Sequence, residues 1–152
     1  MTIAPVDLNT AGPADLAAVL PLAMAFYAED GLSTDERALR RNLSVLLASP
    51  MARVAVVQLE DQLLGFAVTT TSFGLEDGLI AELEDLFVVP MARGQGLGGR
   101  LIADSVVWAR EQGCRSLELV VAPSSRDVGR LLDYYRAHGF LDEGRRLISR
   151  PL

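Results

Sequence analysis

The sequence predicts an α+β domain, a three-layer arrangement in which a mixed, mostly antiparallel sheet of about six or seven strands carries helices on both faces. Three observations predict it. Strand-like and helix-like apolar spacings follow one another in the order β-α-α-β-β-β-α-β-α-β. The three consecutive strand segments in the middle call for antiparallel hairpins, and the strand-helix-strand unit after them calls for a parallel, right-handed crossover. The 152 residues are half apolar and 22% charged, which suits one core and a single domain over residues 1–152.

Ile3 to Leu8 reads as a short first strand. Pro13 to Ala28 places Leu16, Val19, Leu20, Leu22, Ala23 and Phe26 at helical spacing, and Pro21 inside it predicts a kink or two helical pieces. Ser33-Thr34-Asp35-Glu36 carries helix-capping chemistry for a second helix with an apolar face of Leu39, Leu43, Leu46 and Leu47. Arg53 to Glu60 and Gln62 to Thr71 form a hairpin about Glu60-Asp61, and Ile80 to Val89 is a third long strand, ended by Pro90. Leu97 to Glu111 is a helix, Ser116 to Val121 a strand bounded by Pro123, Asp127 to His138 a helix stopped by Gly139, and Leu147 to Arg150 a last strand.

Composition narrows the function. Twenty acidic residues against 14 basic ones leave a net charge of -6, which disfavours nucleic-acid backbones and suits a cationic small molecule. With a single cysteine, Cys114, and a single histidine, His138, neither a disulfide nor a zinc site is expected, and no metal is called for. Cys114 reads as a small buried residue. No apolar run reaches the roughly 18 residues of a membrane span, and Met1 to Asn9 does not resemble a secretion signal, so no membrane partner and a cytoplasmic location are expected.

The segment Arg93-Gly94-Gln95-Gly96-Leu97-Gly98-Gly99 holds four glycines in six residues between a strand and a helix. Glycine costs a helix about 1 kcal/mol per position relative to alanine. Something must require these glycines at the helix start, and the fitting occupant is an anion held by backbone N–H groups and the positive end of the helix dipole. Gly94-x-Gly96-x-x-Gly99 also fits a dinucleotide fingerprint, with Glu118 about 20 residues further on. A dinucleotide fold starts with this unit and continues with more parallel strands, whereas here a hairpin precedes it.

Arg93 to Gly98 resembles the cofactor motif of the GCN5-related N-acetyltransferase (GNAT) superfamily. Leu83-Glu84-Asp85-Leu86-Phe87-Val88-Val89-Pro90 is similar to that family's fourth strand, and Tyr135-Arg136-Ala137-His138-Gly139-Phe140 to its closing signature. The pattern Leu-Glu-Asp then Arg-Gly-Gln-Gly is nearest the diamine and polyamine acetyltransferases. The resemblance implies a GNAT-like acyl-CoA acyltransferase fold, acetyl-CoA as co-substrate and a homodimer. It implies a β-bulge in the fourth strand that opens a slot for the cofactor. It further implies cofactor contacts from Leu86, Phe87 and Val88, and from Arg93, Gly94, Gln95, Gly96, Leu97, Gly98 and Gly99. Val128 and Leu131 stand where many members carry Asn and Ala, which removes one contact to the cofactor arm.

The implied reaction is direct transfer of an acetyl group to a primary amine of a small molecule in a ternary complex. The alternatives are a protein amine as acceptor, or a catalytically silent acyl-CoA sensor. An alkylamine with pKa near 10.4 is mostly protonated at pH 7, a penalty of roughly 4–5 kcal/mol that a carboxylate base relieves. Glu84 and Asp85 are neighbours, so on a regular strand they face opposite sides and one alone reaches the cleft. The resemblance selects Glu84 as base, with Asp85 the alternative. It selects Tyr135 as the acid for the leaving thiolate, with Tyr134 the competitor, one of the pair belonging to the core. Tyr27, Glu29 and Asp30, between the first two helices, are the candidates for binding the amine, with Asp85.

Overall fold

The computed structural model describes residues 5–122 and 127–152. Five strands form one sheet in sequence order: β1 (Asp7–Thr10), β2 (Ala52–Leu59), β3 (Gln62–Gly74), β4 (Gly78–Val88) and β5 (Leu117–Glu118). All neighbours are antiparallel except β4 and β5, which are parallel. The helices are α1 (Leu16–Glu29), α2 (Glu36–Ala48), α3 (Leu97–Glu111) and α4 (Val128–Ala137), with short 3-10 turns at Pro13–Asp15 and Pro90–Ala92.

Local chemistry accounts for the helix ends. Asp35 caps α2 by accepting from Arg37 N–H at 3.1 Å, and Asp127 caps α4 by accepting from Arg130 N–H at 3.0 Å. The β2–β3 hairpin turns through Glu60-Asp61, with Glu60 in the left-handed region at φ 53°. The crossover from β4 through α3 to β5 is the expected parallel unit.

The sheet carries an apolar layer on each side. Val54, Val56, Phe66, Val68 and Phe87 pack under α1 and α2 with Val19, Leu20, Leu43 and Leu47. Ala55, Val57, Ala67 and Leu83 pack under α3 with Leu97, Leu101 and Ile102. Near the site, Phe26 of α1 packs on Phe66 and Phe87, with ring centroids 6.2 and 5.7 Å away, and so fixes the C-terminal end of α1 on the sheet.

Several expectations change. The sheet has five strands among the described residues, not six or seven. Leu147 to Arg150 forms no strand, because a strand needs a partner edge; Leu147 and Ile148 are 77% and 91% exposed. The first strand begins at Asp7, since pairing to β2 spans Asp7 to Thr10; Ile3 and Ala4 lie outside the described residues, as does Pro123. The strand expected over Ser116 to Val121 pairs with β4 at only two positions, Leu117 and Glu118. Helix α1 runs unbroken through Pro21, whose lost hydrogen bond falls in the second turn and whose ring is on the exposed side.

Candidate active site

The parallel pairing of β4 and β5 stops after Ala81–Leu117 and Glu82–Glu118. Two residues later β4 bulges. Val68 of β3 pairs with Asp85 and Thr69 with Leu83, so Glu84 is an extra residue with no opposite number. The bulge bends β4 away from the chain after β5. A cleft of about 800 Å³ opens between Leu83–Val88 and Leu119–Ala122, closed by the start of α3, the end of α1 and one side of α4.

The bulge also reverses the expectation that Glu84 and Asp85 face opposite sides. The Tyr27 hydroxyl of α1 donates to Asp85 Oδ1 at 2.7 Å. The Thr70 hydroxyl donates to Glu84 Oε1 at 2.8 Å, and Thr70 lies two residues from Val68 on the α1–α2 face. The extra residue cancels one step of the strand's alternation, so both carboxylates stand on that face and both line the cleft.

Their surroundings differ. Glu84 is exposed, whereas Asp85 is half-buried. Burial pushes the Asp85 carboxyl above its ordinary value; the Tyr27 hydroxyl opposes this and the Glu84 charge adds to it. Tyr27 itself is pushed far above the ordinary tyrosine range, first by burial and then by donating to Asp85. The proton between them stays on Tyr27.

On the other side, Gly94 and Gly96 adopt φ of 77° and 79°, a left-handed backbone that other residues enter only with strain. Gly96 caps α3 without any side-chain bond, and Arg100 N–H is the first to bond back, to Gly96 O at 3.1 Å. The N–H groups of Leu97, Gly98 and Gly99 form the first turn, where no intrahelical acceptor exists. Gly98 and Gly99 also meet α4: a Cβ on Gly98 would stand 2.5 Å from the Tyr134 hydroxyl, and one on Gly99 3.0 Å from His138 Nε2. These two glycines therefore let α4 approach the helix start.

Arg93 does not stand free at the phosphate cradle. Its Nε donates to Val88 O at 2.8 Å, its second nitrogen pairs with Glu29 at 2.7 Å, and its guanidinium lies 5.6 Å from the Phe87 ring centre. Glu29, expected to attract the amine, thus has a cation partner. Gln95 is the one candidate residue that does not line the cleft; Asp30 does.

Tyr134 and Tyr135 are both half-buried and both border the cleft, so neither is a plain core residue. Adjacent residues are 100° apart on a helix, and a cleft this wide takes both. Tyr135 packs edge-on against Phe140 at 5.7 Å and Tyr134 at 5.3 Å. Burial raises both hydroxyls above the ordinary tyrosine value, so each keeps its proton at neutral pH. The His138 ring lies tilted against Tyr134, with ring centres 4.5 Å apart and Nδ1 2.8 Å from the Tyr134 carbonyl oxygen. Sequence reasoning passed over Leu119 to Ala122, Arg130 and His138 as cleft residues. For Arg130 and His138 the signal was present, because they share the helical spacing of Tyr134.

The sequence model of the acetyltransferase (GNAT) family matches residues 16–140. The chain belongs to that family. As a GNAT-family chain it is similar, at 33% identity over 107 residues, to an aminoglycoside N(6')-acetyltransferase type 1 of Serratia marcescens, covering 67% of this chain and 69% of that one. It is also 33% identical over 78 residues to the thialysine N-epsilon-acetyltransferase of Bos taurus, covering 51% of this chain and 44% of that one. The match to an aminoglycoside N(6')-acetyltransferase type 1 of Klebsiella aerogenes spans 49% of that relative, so the chain covers about half the length of several curated relatives. Among solved structures, an integron cassette protein from a salt-marsh metagenome superposes with a TM-score of 0.82 at 29% identity, covering 95% of this chain and 90% of that one. An aminoglycoside N-acetyltransferase in complex with CoA has the same fold, with a TM-score of 0.83 at 19% identity over 97% of this chain and 95% of that one. The fold that the chain shares with these solved structures is the one described above. Among the described residues no cluster of metal-binding side chains occurs, and no helix is long and apolar enough to cross a membrane.

Proposed function

We propose that the protein is an N-acetyltransferase that moves an acetyl group from acetyl-CoA to a primary amine of a small molecule, directly, in a ternary complex. The observation that carries this reading is the meeting, in one cleft, of the bulged β4, the start of α3 and the tyrosine pair of α4. Such a site fits acetyl-CoA. The first-turn N–H groups of Leu97, Gly98 and Gly99, reached through Gly94 and Gly96, suit a pyrophosphate. The backbone of Leu86 and Val88 suits the amide-bearing arm, because β5 has left that edge, while Phe87 turns its backbone carbonyl to β3 and borders the cleft.

Glu84 is the base in this reading. It takes a proton from the ammonium as the amine nitrogen forms its bond to the acetyl carbonyl carbon. The carbon–sulfur bond breaks, its electron pair goes to sulfur, the Tyr135 hydroxyl gives sulfur a proton, and the second proton that the nitrogen sheds on becoming an amide restores Tyr135. Asp85, fixed by Tyr27, stands beside Glu84 and adds to the attraction of the cation. Holding both substrates in one cleft accounts for a large part of the rate without a covalent intermediate. A cytoplasmic location goes with the reading, since acetyl-CoA is available there, and so does a homodimer.

The experiment is thiol release from acetyl-CoA over a panel of amines that includes a lysine peptide. Glu84→Gln is expected to lower kcat/KM by about 10²–10⁴ and Tyr135→Phe by about 10², with the KM for acetyl-CoA little changed. Release undiminished in both variants removes the catalytic assignment. CoA binding without turnover on any amine favours a silent sensor, the second reading, which draws support from Val128 at the first position of α4 where many relatives carry Asn.

A further inference from the structure

We propose that the acceptor is a monoamine carried on one apolar body, of arylalkylamine size, and not a polyamine or an aminoglycoside; this rests on the N-acetyltransferase reading above. On the α1–α2 side of the sheet a second hollow of about 260 Å³ adjoins the main cleft. The two cavities share three residues, Tyr27, Glu84 and Asp85. The carboxylates therefore stand at the mouth of the hollow, where an ammonium would meet the acetyl group.

The rest of the hollow is apolar. Leu39, Leu43 and Leu46 of α2 face Phe66 and Val68 of the sheet. Its polar groups are already directed at the mouth: the Thr70 hydroxyl donates to Glu84 and the Tyr27 hydroxyl to Asp85. Beyond them Asn42 is the one remaining polar residue in the lining. Asp30 and Glu29 line the main cleft and not the hollow. A second ammonium of a polyamine laid in the hollow would thus lie against a leucine wall with no anion beside it, where it gains nothing and covers apolar surface poorly.

Volume points the same way. An apolar cavity of about 150 Å³ holds benzene. The hollow adds room for a short alkyl arm, which carries the amine back to Glu84. A linked-ring aminoglycoside exceeds it and brings several charges.

The test compares 2-phenylethylamine, spermidine and kanamycin as acceptors by thiol release, and in parallel by calorimetric titration into the CoA-bound full-length protein. The expected kcat/KM for 2-phenylethylamine exceeds that of either polycation by at least about tenfold. Leu39→Gln and, separately, Leu46→Gln are expected to raise its KM by at least about fivefold while the KM for acetyl-CoA holds, since each removes apolar contact at the acceptor end alone. Binding of 2-phenylethylamine that weakens in these variants, with no thiol release from any amine, refutes the acetyltransferase reading and sustains the acceptor class. Faster release with spermidine or kanamycin does the reverse. Absence of both binding and turnover of 2-phenylethylamine overturns the proposal, as does a KM that neither variant moves.

Discussion

At Asp85 two effects act in opposite directions. Burial raises the carboxyl and the Tyr27 hydroxyl lowers it, and burial dominates. A carboxylate raised on folding binds more protons in the native chain than in the unfolded one. Its cost to stability is therefore absent below the unfolded value, 3.8, and grows as pH rises through the higher folded value. Asn accepts from Tyr27 without carrying charge. Asp85→Asn is therefore expected to gain melting temperature relative to the wild type as pH rises from about 4 toward neutrality, then to hold that gain. Melting scans of both proteins across this range check it; a constant or shrinking difference would show that Asp85 is not raised. The same residue marks a limit of sequence reading. Glu84 and Asp85 were legible as the acidic pair of the site, but not their shared face, because strand alternation is a local rule and a bulge is a property of pairing with β3. The two-sided role of Gly98 and Gly99 was hidden likewise, since the contacts with Tyr134 and His138 come from 36 to 39 residues further along the chain.

Among the elements, those with local signals were read well. Capping residues and apolar periodicity placed α2, α3 and α4 to within a residue or two, and Glu60-Asp61 placed the β2–β3 turn. The errors fall where an element depends on a distant partner: β5 is cut to two residues because β4 bends away, and the C-terminal strand does not form. Between β3 and β4 the close approach is set by one residue that sequence reading did not single out. Gly65 lies opposite Val88, and a Cβ there would stand 2.5 Å from Phe87 O and 3.2 Å from both Val88 Cα and a Val57 methyl. Backbone, not a flexible side-chain tip, fills the space. Gly65→Ala must push β4 outward just where Leu86 to Val88 line the cleft. The expected loss is about 1–3 kcal/mol of stability, or roughly 2–10 °C in Tm, together with a raised KM for acetyl-CoA. Calorimetric melting and steady-state kinetics check both parts. An unchanged Tm would mean that β3 and β4 have slack at this point, and that the width of the cleft is set elsewhere.

For the whole molecule, the chain after Phe140 bears on the proposed homodimer. Residues 141–152 form no helix or strand, and they expose Leu141, Leu147, Ile148 and Leu152. The segment is not detached, since Arg145 reaches Glu118 of β5 at 3.4 Å. At Arg145 it thus reaches β5, which lies at the end of the sheet order after β4 and has no further partner among the described residues. Exposed leucine and isoleucine side chains next to an open sheet edge are unfavourable for a lone molecule in water, and a second copy presenting the same segment across a twofold axis covers both at once. A chain of 16.4 kDa should then run at about twice that mass in light scattering behind a sizing column. Replacing Leu147 and Ile148 together by Asp should return it to the monomer mass, because two charges cannot be buried in such a contact. The doubly substituted chain should keep its affinity for CoA, since neither residue lines the cleft. A wild-type chain that is monomeric at about 50 μM would remove the homodimer, given that an apolar interface of standard size holds well below that concentration. A dimer that survives both substitutions would place its contact elsewhere, and the exposed Phe73 and Leu75 at the β3–β4 tip would be the next surface to change.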